Sequence, residues 1–187
     1  MTDKIENETE SQPQPKSEPV RPARDPSDMP RAYLLLRGDL PSLGNGKGRA
    51  HAMHAGNAMT WKLVVEPLMG GIAPDPDVMD WHREGEGFGT TISLGGPEEV
   101  TGRVLDGIVL TAKACGHHAD KVVDKTYPYF VDAEVMPLIS QDLHTAAPAR
   151  VKGGWICHRK EVTGAWLFGT RDQLDTLLAR FGLTPDR

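Results

Sequence analysis

Residues 33–55 read YLLLRGDLPSLGNGKGRAHAMHA. The run Tyr33-Leu34-Leu35-Leu36 is short and wholly apolar, which predicts a buried strand. Pro41, Gly44, Gly46 and Gly48 then break the chain into a loop. A helix is expected over residues 49–65, because Ala52, Ala55, Met59 and Leu63 recur at helical spacing and give it a core face. Pro67 and the pair Gly70-Gly71 are expected to end it. A strand, a glycine loop and a helix in that order open an α/β sheet. Such a loop can turn backbone N–H groups toward an anion. It is not a Walker loop, since the closing Lys-Ser/Thr is missing. Lys47, His51, His54 and Ala58 are spaced four, three and four apart, so a helix starting at or before Lys47 puts them on one face. One cation and two imidazoles on that face suit a phosphate-bearing substrate. A solvated face with two incidental histidines is the plain alternative.

The rest of the chain continues the alternation. A short helix is expected over residues 72–82, with Asp77 as its cap and Trp81 as a core anchor. Residues 90–94 are rich in β-branched side chains and predict a strand. Gly96-Pro97-Glu98-Glu99 reads as a helix start. Val100, Val104, Ile108 and Ala112 carry that helix to about residue 114. Strands are expected at Val122-Val123 and at residues 135–139, with further strand-like runs at 155–156 and 165–168. Thr170 and Gln173 have capping-box spacing ahead of Leu174, Leu177, Leu178 and Phe181, so a last helix is expected there. The fold class expected is α/β: one domain with a mixed β-sheet and helices on both faces.

Residues 1–30 differ in texture. They hold six of the 15 prolines, seven acids and four bases, with few large apolar side chains. Such a segment cannot offset its backbone entropy by burial, and a disordered acidic, Pro-rich tail is expected. The acidic N-terminus has no apolar core of a signal peptide. No stretch approaches the ~20 apolar residues of a membrane span. Two cysteines cannot make a disulfide framework, and a cytoplasmic setting is expected. The net charge of −5 excludes a broadly basic nucleic-acid coat but not a local basic cleft.

The residues quoted above resemble the second, archaeal and eukaryotic, type of peptidyl-tRNA hydrolase. That pattern is a strand, Asp-Leu, a Gly-Lys-Gly-Lys loop, Ala-Ala-Gln and His-Ala. This chain supplies Asp39-Leu40, Gly44-Asn45-Gly46-Lys47, Arg49-Ala50-His51 and His54-Ala55 in the same order. The family continues with a strand, a helix, a strand ending in a functional Asp and another strand. The resemblance places these at residues 90–94, 97–114, 121–124 and 135–139. It covers residues 31–139, the hydrolase-like core, and leaves 140–187 as a C-terminal extension packed on it. Asn45 stands where the family has lysine, and His51 where it has glutamine. The family's Asp-Ala-Gly-Arg-Thr reads Asp124-Lys125-Thr126-Tyr127-Pro128.

The resemblance implies hydrolysis of the ester between a nascent peptide and the 3′-terminal ribose of tRNA. That reaction needs a base for water, donors for the oxyanion and cations for phosphates. His54 and Asp124 are the expected catalytic residues. Asp124 would orient or deprotonate water, unless it is a turn-capping residue. His54 would act as base or donor, unless it is a packed histidine. Lys47, His51, Thr126 and Arg37 are the expected substrate-binding residues. No cofactor and no metal are expected: Cys115, His117 and His118 with Cys157 and His158 lack metal-ligand spacing. Cys115 ends an amphipathic helix and reads as core. Trp155, Trp166 and Phe168 read as core too, with stacking on bases as their other use. tRNA is the expected partner, a homodimer is left open, and no membrane is involved. The rival reading is a catalytically drifted tRNA- or partner-binding module on the same fold.

Overall fold

The computed structural model describes residues 24–25, 28–40, 43, 45–83, 91–95, 100–139 and 143–183. Most of the tail read over residues 1–30, the glycine loop at 85–89 and the helix start at 96–99 lie outside them. At the tail's end, Arg24 pairs with Asp77 at 2.8 Å and Asp80 at 3.2 Å. Pro30 already belongs to the first strand.

The first strand, β1 (Pro30–Leu36), contains the apolar run. Helix α1 (Asn45–Thr60) starts within the glycine loop, ahead of Lys47. It does not stop at residue 65. A π-helical turn over Trp61–Val65 leads into α2 (Glu66–Met69), so Pro67 falls in a first turn, where its missing N–H costs little. Helix α3 (Pro76–Arg83) is capped by Asp75 rather than Asp77: Asp75 Oδ1 accepts from the Asp77 N–H at 2.8 Å. Strand β2 (Thr91–Gly95) precedes α4 (Gly102–Ala114). Thr101 caps α4, its hydroxyl accepting from the Val104 N–H at 3.4 Å.

The second half corrects the expected strands. β3 runs over His118–Asp132, far beyond residues 121–124. Residues 135–139 are not a strand: they form a turn and a short 3₁₀ helix, Met136–Leu138, with Pro137 in its first turn. β4 (Ala146–Val151) follows, and β5 (Gly154–Thr170) joins the two runs at 155–156 and 165–168 into one strand. α5 (Arg171–Ala179) closes the described chain; Thr170 stands at its cap without a side-chain cap bond.

The sheet has five strands in a single domain. The order is β2-β1-β5-β3, with β4 also on β5. β1 and β2 are parallel; the pairs of β5 with β1, β3 and β4 are antiparallel. Residues 140–187 therefore do not sit as an addition on a finished core. They supply the strand between β1 and β3.

Strand alternation sends neighbouring side chains to opposite faces. Tyr33 and Leu35 pack with Leu105, Ile108, Leu174 and Leu178, which brings α4 and α5 onto one face. Ala32 and Leu34 pack with Ala55, Met59, Trp81 and Trp166, which brings α1 and α3 onto the other. Trp166 and Phe168 are buried core residues. Cys115 is not: it caps α4 and is exposed, because the buried stripe of that helix ends at Ala112.

At Gly164 the central strand runs close against β1. A Cβ there would lie 2.5 Å from the Leu35 carbonyl oxygen, a backbone atom that cannot swing aside. Gly164→Ala is expected to cost at least the ~1–3 kcal/mol of core overpacking, read as a lower midpoint in urea unfolding.

Candidate active site

One cleft of about 520 Å³ opens between α1, β3 and β5, lined by His51, His54, Asp124, Lys125, Thr126 and Thr163 among others. Four of the six residues named for catalysis or binding meet here from two distant parts of the chain. A larger concavity of about 820 Å³, beside Met136 and Trp155, has Arg150 as its only charged lining residue among the described residues.

The helix contributes its residues through spacing. His51, Ala55 and Met59 are four apart and all buried, so His51 lies on the edge of the core stripe, turned toward the sheet. His54 is on the same side one turn on, more exposed. The two rings meet edge to face, with centroids 5.8 Å apart. His51 is only 9% exposed, and its Nδ1 has no hydrogen-bond partner among the described residues. Burial pushes its pKa below the usual histidine value. The Asp124 carboxylate opposes that shift, while His54 and Lys47 add to it. Lys47 thus lies within electrostatic reach of the cleft, at the exposed start of α1.

The strands contribute theirs through two irregularities in pairing. Val122 faces Gly164 and Val123 faces Val162, so Thr163 is an extra residue on β5. Its buried hydroxyl donates to the Val122 carbonyl at 3.5 Å. Asp124 then faces Glu161 and Tyr127 faces Arg159, so Lys125 and Thr126 together oppose Lys160. Bulges of this kind re-aim side chains and gather beside active sites. Here the second one folds Thr126 back on Asp124. The Thr126 N–H donates to Asp124 Oδ1 at 2.8 Å, and its hydroxyl donates to the same oxygen at 3.2 Å. Asp124 was expected at a strand end. It lies inside β3 and obtains its turn from the bulge. Thr126 is committed to orienting the carboxylate.

Arg37 does not line the cleft. Its Nε and Nη2 grip Asp39 at 2.8 and 2.6 Å, and its Nη1 meets Glu161 and the Val162 carbonyl, the latter at 3.0 Å. The side chain is 10% exposed. The Asp39 bond, ahead of Glu161, holds its pKa above the usual value. Arg37 ties the end of β1 to β5, with four of its five N–H donors engaged there.

Sequence reasoning missed Lys121 and Thr163 as lining residues. Lys121 and Lys125 bracket the apolar pair 122–123, a legible signal. Thr163 carried none, because its position depends on pairing across the sheet. Among the described residues no group of three or more His, Cys, Asp or Glu side chains is placed to hold a metal ion. No helix among them is long and apolar enough to cross a membrane. The chain matches no protein-family model, and no curated protein matches it.

The environment of His51 sets a pH dependence. Its native pKa is depressed, so the unfolded chain binds the proton more tightly. Its stabilising contribution is present above the unfolded value, about pH 6.5, and is lost as the pH falls below it. One proton limits the slope to about 1.4 kcal/mol per pH unit. His51→Gln is expected to flatten the fall in Tm between pH 7.5 and 5.5. His117, also depressed by burial, stays in both proteins, so the difference isolates His51.

Proposed function

We propose that this cleft hydrolyses the ester joining a peptide to the 3′-terminal ribose of tRNA. The observation that carries the reading is the convergence of His51 and His54 on α1 with Asp124 on β3, around one concavity. The resemblance supplies the substrate and the fold type, a second-type peptidyl-tRNA hydrolase-like sheet.

In this reading Asp124 is the base. Thr126 fixes its Oδ1, leaving the second oxygen to hold a water and take its proton as the water attacks the ester carbonyl. His54, the more exposed imidazole, donates to the developing oxyanion or to the leaving ribose oxygen. His51, kept neutral by burial, holds the geometry between them. Lys47 and Lys125 meet the phosphates near the 3′ end. No step calls for a cofactor. A substrate made during translation sets the place of action in the cytoplasm.

Release of peptide from a blocked aminoacyl-tRNA by the purified protein tests the reading, with EDTA added in a parallel reaction. Release unaffected by EDTA is the expected result. One observation favours the rival: an aspartate whose oxygen is satisfied by Thr126 is also what a purely structural bulge would contain. Tight tRNA binding without release would select the binding module.

A further inference from the structure

We propose that Lys125 and Lys160 form a phosphate-binding site on the lip of the cleft, which takes a backbone phosphodiester of the RNA. The inference rests on the tRNA reading and extends it into residues 140–187, where the resemblance offers no counterpart.

The argument starts from pairing. Because Asp124 faces Glu161 and Tyr127 faces Arg159, the bulge sets Lys125 and Thr126 against Lys160. Lys125 and Lys160 are thus cross-strand neighbours of like charge, an arrangement that is ordinarily unfavourable. Both are exposed. Neither has an ion pair among the described residues, where Lys62, Lys113 and Lys121 each have one. The acids next to them in sequence, Glu161 and Asp124, already have other partners. Glu161 meets Arg37 through Oε1 and Arg159 through Oε2, the latter at 2.6 Å. Asp124 Oδ1 is held by Thr126. Backbone pairing thus sets two lysines without an ion pair among the described residues across from each other, and Lys125 lines the cleft itself. A dianionic small molecule would gain little beyond the two charges. A phosphodiester attached to a 3′ end seated in the cleft arrives there at high local concentration.

The test is equilibrium binding of uncharged tRNA to the full chain from 50 to 200 mM salt. One phosphate contact contributes a slope of about −0.7 to −0.9 in log K against log salt. Lys160→Ala is expected to weaken binding and to make the slope shallower by about that amount, roughly a threefold smaller loss across the range. Lys160→Arg should keep the wild-type slope. Thermal unfolding without RNA gives a second readout: Lys160→Ala should melt no lower than wild type, since a repulsion has been removed. An unchanged affinity and slope in Lys160→Ala would overturn the site. The two failures separate cleanly. Peptide release by a protein whose Lys160→Ala variant binds tRNA normally refutes this inference alone. A Lys160-dependent slope in a protein that releases no peptide supports it and refutes the hydrolase.

Discussion

Asp124→Asn is expected to lower the rate of peptide release by about 10²–10⁴-fold while leaving tRNA affinity and Tm near the wild-type values. Asparagine keeps the shape and one acceptor oxygen, so the two donations from Thr126 survive. What disappears is the basicity that removes a proton from water. Loss of a general base has that range of effect, equal to about 3–5 kcal/mol of barrier at 1.36 kcal/mol per decade. His54→Ala should also slow release. Combined with Asp124→Asn, its effect should be less than additive if both groups serve one attacking water. A turn-holding Asp124 predicts the reverse pattern: Tm falls and the rate per folded molecule holds. Rate, affinity and melting measured on one preparation distinguish these outcomes.

Ending the chain at residue 139 is expected to abolish folding, not to trim an appendage. The deleted part contains β5, which separates β1 from β3 in the sheet. It also supplies nine of the 29 buried hydrophobic residues among those described, including Trp166, Leu167, Phe168, Leu174, Leu177, Leu178 and Leu183. Those seven large side chains, at about 1.5–3 kcal/mol each, amount to roughly 10–20 kcal/mol. A whole domain has a net stability of only about 5–15 kcal/mol. Far-ultraviolet circular dichroism and a thermal scan on the 1–139 fragment give the answer. A cooperative transition in that fragment would mean that a self-sufficient core exists without β5.

Local chemistry made part of this molecule legible. The run 33–36 marked β1, the 105–112 region carried helical periodicity, and 174–178 marked α5. These are elements whose burial pattern is written in adjacent residues. β3 and β5 were legible only in pieces. Polar residues at 124–126 and 158–161 interrupt the apolar runs, and pairing between the strands, not side-chain pattern, carries each through the gap. The apolar run 135–139 misled because apolar content alone does not distinguish a strand from a turn, and Pro137 was the signal to weigh. For the site, the four-three-four spacing of Lys47, His51, His54 and Ala58 placed three of those residues on the cleft wall. The burial of His51 was less visible, since small alanines surround it and blur the polar edge of α1. The capture of Arg37 by Glu161 was out of reach, because those residues meet only when β5 enters beside β1.

The bulge beside Asp124 also bears on the exposed edge of the sheet. β3 ends the sheet order, so its outer side carries backbone donors and acceptors with no strand against them among the described residues. At 15 residues it is a long edge, and long regular edges are templates for adding a further strand. This one is interrupted near its middle. The bulge breaks the spacing of its polar groups, Pro128 next to it lacks an N–H, and Lys121 and Lys125 place charge on either side. A second copy seeking to extend the sheet would meet a short ladder, a kink and like charges. The same irregularity that aims a carboxylate into the cleft thus disfavours open-ended association through β3. A redesign that smoothed it to make the strand more ideal would lose the carboxylate's orientation and gain an aggregation site.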